Sequence, residues 1–252
     1  MPILAIENLD MRFGGLSALE DLNLAVPEGG LYGLIGPNGA GKTTVFNLIS
    51  GFLKPTGGRI FLDGRDITGE APHRLTDLGI ARTFQNIRLF GELSVLDNIL
   101  VGFHCRSRAT WGEAVLRLPR YRREEGVRRS RGLALLNEVG LAEAADLSAG
   151  KLPYGHQRRL EIARALATEP RFLLLDEPAA GLNLQETLEL IFFIRDIKER
   201  YDLSILIIEH NLRLVMNLCQ HLTVLDHGLT IAAGSPVEVR KNPEVIRAYL
   251  GK

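Results

Sequence analysis

The sequence predicts an α/β fold with a mainly parallel sheet, an N-terminal antiparallel β subdomain and an inserted helical subdomain. Three observations carry this expectation. A glycine-rich run near residue 40 separates an apolar strand from an apolar helix. Two further apolar runs, Phe172-Leu173-Leu174-Leu175 and Ser204-Ile205-Leu206-Ile207-Ile208, alternate with helical stretches, the pattern of strands covered on both faces. Ahead of both runs, 93–149 reads as helical.

The elements follow in order. Ile3-Leu4-Ala5-Ile6 and Leu22-Asn23-Leu24-Ala25-Val26 have strand character, with turns at Gly14-Gly15 and Glu28-Gly29-Gly30. Leu31-Tyr32-Gly33-Leu34-Ile35 is a short buried strand, and Val45-Phe46-Asn47-Leu48-Ile49 belongs to a helix. Residues 57–64 form a strand ending in an Asp-Gly turn, and 79–85 form another strand. In the helical stretch the apolar positions are Val95, Ile99, Leu133, Leu136 and Val139. A helix after Gly155 places Leu160, Ala163 and Leu166 at helical spacing and stops by Pro170; a second starts at Gln185. Val224-Leu225 and Thr230-Ile231-Ala232 make a hairpin around Gly228. The chain reads as one domain, 1–252, in which 93–149 is inserted between 1–92 and 150–252.

Thirty basic and thirty acidic residues balance, so no net field draws the chain onto nucleic acid or anionic lipid. Cys105 and Cys219 give no disulfide framework and read as small buried or reduced side chains. The N-terminus lacks the basic and apolar regions of a secretory leader. No apolar run approaches the ~20 residues that cross a bilayer, so any spanning part belongs to another chain. Residues 104–131 hold nine arginines and three glutamates. This run reads as a solvated helical face, or else one that approaches lipid head groups or an acidic partner, with Trp111 as a packing residue.

The chemistry starts at Gly36-Pro37-Asn38-Gly39-Ala40-Gly41-Lys42-Thr43-Thr44, which matches a phosphate-binding loop in its strand–loop–helix context. Glycines let backbone N–H groups face a phosphate, and the helix N-terminus adds positive charge there. Lys42 suits β- and γ-phosphates, and the Thr43 hydroxyl suits Mg²⁺. The fold is therefore a P-loop NTPase core. The strand 172–175 runs into Asp176 and Glu177. Such a strand end presents one carboxylate to the metal and a neighbour to the attacking water. His210 follows the next apolar strand and reaches the same sheet edge, where an imidazole contacts the γ-phosphate.

These ordered motifs resemble the ATP-binding subunits of ABC transporters over the whole chain. The resemblance implies ATP hydrolysis with Mg²⁺. It assigns Gln85 to the Q-loop, touching the metal with Thr43 and Asp176 and facing the membrane subunit. Ala180-Gly181-Leu182-Asn183 matches the D-loop, with asparagine in place of aspartate and no strong catalytic role, and His210 matches the switch histidine. Phe13 falls where the family stacks an aromatic ring on adenine, or else is a core residue. Leu152-Pro153-Tyr154-Gly155-His156 falls at the signature motif, departing from Leu-Ser-Gly-Gly-Gln. The family architecture implies that this segment caps the nucleotide of a second ATPase subunit, identical or related. Pro153 removes a hydroxyl and an N–H, leaving Gly155 and the helix N-terminus to make the cap. Phe90 and Leu93 are candidates for a groove that receives the membrane subunit, or are core.

Residues 157–166, 176–183 and 242–251 look like the branched-chain amino acid uptake group. That implies an importer ATPase at the cytoplasmic membrane face, partnered by integral permease subunits and indirectly by a solute-binding protein, with no nucleic acid. Lipid or lipopolysaccharide extraction is one alternative, a soluble ATP-switched module on ribosomes or DNA a second, and a non-hydrolysing structural subunit a third.

Overall fold

A computed structural model describes residues 2–106, 113 and 118–250. The chain divides into two bodies, Met1–Gln85 with Arg171–Lys252, and Asn86–Pro170.

The first body holds two sheets. One is antiparallel, in the order β2 (Leu16–Pro27), β1 (Pro2–Phe13), β4 (Gly57–Leu62), β5 (Arg65–Asp66). β1 and β2 run well past the apolar stretches that announce them, because their polar residues are paired. Asn8 takes a bond from its own N–H to Asn23 Oδ1 at 3.0 Å, and Asp10 Oδ1 accepts from the Asp21 N–H at 2.9 Å. The register shifts at these points and pairing then resumes.

The second sheet has the order β10 (Leu229–Gly234), β9 (His221–Asp226), β3 (Leu31–Ile35), β8 (Ser204–Ile208), β7 (Phe172–Asp176), β6 (Ile80–Arg82). All neighbours are parallel except the β9–β10 hairpin. Every residue of β7 and β8 is buried, as their unbroken apolar runs require. Helix α1 (Lys42–Ile49) follows β3, and its Phe46 is fully buried in one cluster with Leu4, Leu22, Leu174 and Ile208. Full burial of such a side chain contributes about 1.5–3 kcal/mol. This body also contains α2 (Pro72–Asp77), and its later helices are given below.

The second body is helical. It contains α3 (Val95–Phe103), α4 (Pro119–Glu138) and α5 (Tyr154–Leu166). Ser94 caps α3 by accepting from the Asp97 N–H at 3.0 Å. Val95, Ile99, Leu136 and Val139 are buried, but Leu133 is 41% exposed. The inward stripe of α4 is Gly132, Leu135 and Leu136, so Leu133 falls outside it. A Cβ on Gly132 would lie 2.9 Å from Leu96 Cδ1, which shows how closely α3 and α4 approach.

This body is wider than the expected insertion of 93–149. Gly150 N–H bonds Gly91 O at 3.0 Å, Ala149 N–H bonds Leu93 O at 2.9 Å, and α5 packs on α3. These non-local bonds draw 86–92 and 150–170 into the helical body. α5 also begins at Tyr154, with Pro153 as its N-cap, so Gly155 lies inside the first turn rather than before it. Proline has no cost there, since an N-terminal N–H has no helical partner.

After β7 the first body continues with α6 (Leu184–Arg200), α7 (Leu212–Leu218), α8 (Pro236–Lys241) and α9 (Pro243–Leu250). No helix among the described residues is long and apolar enough to cross a membrane. Among the described residues neither cysteine forms a disulfide. Cys219 is buried, which pushes its thiol pKa up, whereas Cys105 is exposed and fits only the reduced reading. Trp111 lies outside the described residues.

Candidate functional site

The loop from Gly36 to Gly41 joins β3 to α1 and can be built only with glycine at two points. Gly41, the N-cap of α1, has φ 102°, and a Cβ there would lie 2.8 Å from Ala18 O. At Gly36 (φ 151°) an added Cβ would come within 2.1 Å of Leu225 O. Lys42 is 7% exposed and donates from Nζ to Gly36 O at 2.8 Å and to Pro37 O at 2.9 Å. Burial lowers its pKa, opposed by the negative charges of Glu177 and Asp176. A cleft of about 720 Å³ opens over this loop. Asn38 to Thr44, Gln85 and Glu177 line it, together with Leu16, Ser17, Ala18 and His227.

Parallel register delivers the acids to the same edge. Asp176 of β7 pairs with Ile208 of β8, and Ile208 pairs with Leu34 of β3, one residue before the end of that strand. Asp176 and Glu177 therefore emerge beside the phosphate loop, with Glu209 and His210 at the next strand end. Gln85 arrives from β6 and donates its Nε2 to Glu177 Oε2 at 2.9 Å. His210 Nδ1 lies 3.5 Å from that same oxygen. Glu177 sits in the left-handed region (φ 46°), which costs a non-glycine residue about 1–3 kcal/mol. Its N–H bonds Ile208 O at 2.9 Å, and this holds it there.

The donors Thr43, Gln85 and Asp176 are hard oxygens, as Mg²⁺ prefers. Among the described residues no three His, Cys, Asp or Glu side chains form a metal cluster. That donor set fits an ion that keeps its waters and takes phosphate oxygens from a nucleotide. The glycine cradle, the buried lysine and the cleft volume fit a nucleoside triphosphate.

Three further residues belong to this neighbourhood, and sequence reasoning assigned none of them a role. Arg82 donates to Asp176 Oδ2 at 2.9 Å. His227 lines the cleft. Glu209 is fully buried and accepts from the N–H groups of Ala179 (2.8 Å), His210 (3.1 Å) and Asn211 (3.1 Å). Burial raises its pKa, and the N–H groups of Ala179 and Asn211 oppose this. The signal that could have found Glu209 is its place directly after the apolar run 204–208, the same position that Asp176 holds after 172–175.

The remaining candidates sit as follows. Phe13 is 46% exposed, so it is not a core residue, and it does not line the cleft as Leu16, Ser17 and Ala18 do. Asn183 caps α6 in a reciprocal box with Glu186, accepting from its N–H at 3.0 Å. In the helical body Pro153, Tyr154 and His156 are exposed on the first turn of α5, around half-buried Gly155. Phe90 and Leu93 are 50% and 39% exposed and are not core. The Arg164 guanidinium lies over the Phe90 ring at 5.5 Å, and Leu93 lines a cleft of about 800 Å³ with Leu100, Val101 and Tyr121.

Residues 19–180 match the family model described as ABC transporter. Residues 230–252 match the model of the branched-chain amino acid ATP-binding cassette transporter. The chain is 47% identical over 251 residues to the high-affinity branched-chain amino acid transport ATP-binding protein BraF of Pseudomonas aeruginosa, covering 100% of this chain and 98% of the relative. It is 45% identical to the corresponding protein LivG of Escherichia coli K12, with the same coverage. Among solved structures, an ATP-binding cassette of an ABC transporter in its ADP conformation aligns over 100% of both chains, with TM-score 0.87 and 34% identity. A nucleotide-free cassette aligns equally, at 33% identity.

Proposed function

Because this chain belongs to the ABC transporter family and is one of its ATPase subunits, we propose that it drives the uptake of branched-chain amino acids. The observation that carries the solute class is identity along the full chain to relatives named for that transport, joined by the separate match of residues 230–252. Those terminal residues lie outside the matched ATPase segment 19–180, so hydrolysis alone does not explain their likeness. Both facts favour the importer over lipid extraction or a soluble switch.

The chemistry assigned to this chain is attack of water on the γ-phosphorus of ATP. Lys42 and the loop N–H groups hold the phosphates. Thr43, Gln85 and Asp176 would hold Mg²⁺, which neutralises phosphate charge when bound. Glu177 orients the water and takes its proton, Gln85 keeps its carboxylate in place, and His210 beside it contacts the γ-phosphate. The segment Pro153-Tyr154-Gly155-His156 caps the nucleotide of a second ATPase subunit. Its N–H groups and the α5 N-terminus supply the contact that serine and glutamine make elsewhere in the family. The pair works at the cytoplasmic face of the membrane on integral permease subunits, which a solute-binding protein feeds.

Reconstitution tests this reading. The chain, co-purified with its permease subunits, is placed in lipid vesicles with the solute-binding protein, and uptake of labelled leucine, isoleucine and valine is followed. ATP-dependent uptake that Lys42→Ala abolishes is expected. Hydrolysis that responds to none of these solutes would contradict the solute class.

A further inference from the structure

Arg82, the last residue of β6, joins the three elements that carry the catalytic groups. Its side chain is 6% exposed and that of Asp176 is 5% exposed. One guanidinium nitrogen donates to Asp176 Oδ2 of β7 at 2.9 Å. The other donates to Asn47 Oδ1 of α1 and to Ser50 Oγ at the end of α1, both at 2.8 Å. The rings of Phe84, Phe46 and Phe52 surround the cation at 5.0, 5.6 and 5.8 Å. Thus α1, which begins with Lys42 and Thr43, the strand leading to Gln85, and the strand ending in Asp176 meet on one planar group. A lysine, with a point charge on a flexible stem, cannot hold this fork.

Two consequences follow from the geometry. Oδ2 of Asp176 is engaged by Arg82, so Oδ1 is the oxygen that remains for a metal or its water. The carboxylate charge is also neutralised by a buried partner, so its pull on a free divalent cation is weak. Building on the ATPase reading above, we propose that Arg82 is a positioning residue. It fixes the Asp176 carboxylate against α1 and keeps the nucleotide-free site from taking a divalent cation, so that the metal enters with the triphosphate.

The test uses Mn²⁺ as the probe on the full chain, with free Mn²⁺ read by electron paramagnetic resonance in the absence of nucleotide. Arg82→Met, which leaves Asp176 unpaired, should bind Mn²⁺ about tenfold more tightly than wild type or better. Adding Asp176→Asn should erase that gain. Arg82→Lys keeps the charge and loses the fork. It should leave Mn²⁺ affinity and KM as in wild type while kcat drops about tenfold or more through misplacement of the carboxylate. Wild-type Mn²⁺ affinity in a folded Arg82→Met, or unchanged kcat in Arg82→Lys, would overturn the proposal. Arg82→Lys keeps the test open if Arg82→Met fails to fold. The Mn²⁺ measurement needs no turnover, so a wild-type chain that cannot hydrolyse ATP would count against the ATPase reading separately.

Discussion

Gln85 donates its side-chain amide to Glu177 Oε2 at 2.9 Å. The partners come from the ends of two neighbouring parallel strands, β6 and β7. His210 Nδ1 lies 3.5 Å from the same oxygen, beyond ordinary hydrogen-bond length, so Gln85 supplies the restraint. In the proposed hydrolysis the other carboxylate oxygen meets the water.

Removing that restraint should slow chemistry more than binding. A hydrogen bond to a charged group contributes about 1.5–3 kcal/mol, so Gln85→Ala should lower kcat by ~10–100-fold. ATP affinity measured without turnover should change by less than about threefold. Equal losses in affinity and kcat would place Gln85 in nucleotide binding instead.

Lys42 gives a test in alkaline solution. Burial holds its ammonium pKa below the ordinary 10.5, despite Glu177 and Asp176. Bound phosphate favours the charged form. ATP affinity should therefore be full while the free protein's Lys42 is protonated, and fall as pH rises through the lowered value toward 10.5. Lys42→Arg, always charged, should show a flat profile over that range. A wild-type profile as flat as that of the arginine variant would remove Lys42 from phosphate binding.

Glu209 joins the segment after Glu177 to the segment holding His210. Its pKa is raised above the ordinary 4.5, so the folded state holds the proton more tightly than the unfolded chain does. Its stability contribution is greatest below 4.5 and falls as pH rises from there to the raised value. Glu209→Ala leaves three N–H groups without their acceptor and should destabilise by about 3 kcal/mol. Urea unfolding between pH 4 and 8 measures both the loss and its slope; a rise in wild-type stability relative to Glu209→Gln across this range would contradict the assignment.

Asn183 stands at the D-loop position but acts as a helix cap. Asn183→Ala should cost about 1 kcal/mol in urea unfolding. Hydrolysis per folded molecule should stay within about twofold, since a lost cap touches no reacting group. A tenfold loss of turnover with unchanged stability would assign Asn183 to the chemistry.

What was legible in the sequence was local. The phosphate loop, β3, β7 and β8 are continuous runs whose composition dictates both their burial and their strand form. Asp176, Glu177 and His210 follow from strand ends. Arg82 gave no sign, because nothing within the run 79–85 shows that α1 and β7 close around its guanidinium. The helical body's borders were equally hidden, since the bonds Gly91–Gly150 and Leu93–Ala149 join residues far apart in the chain. Leu133 misled because an apolar residue on a helix surface carries no mark of its outward direction.

Glu177 is proposed as the group that activates water, at a site that binds ATP without it. The direct measurement is ATP retention and single-turnover hydrolysis by Glu177→Gln beside wild type. The variant should hold ATP with affinity within about threefold and cleave it ~10²–10⁴-fold more slowly. Cleavage at the wild-type rate would contradict the assignment.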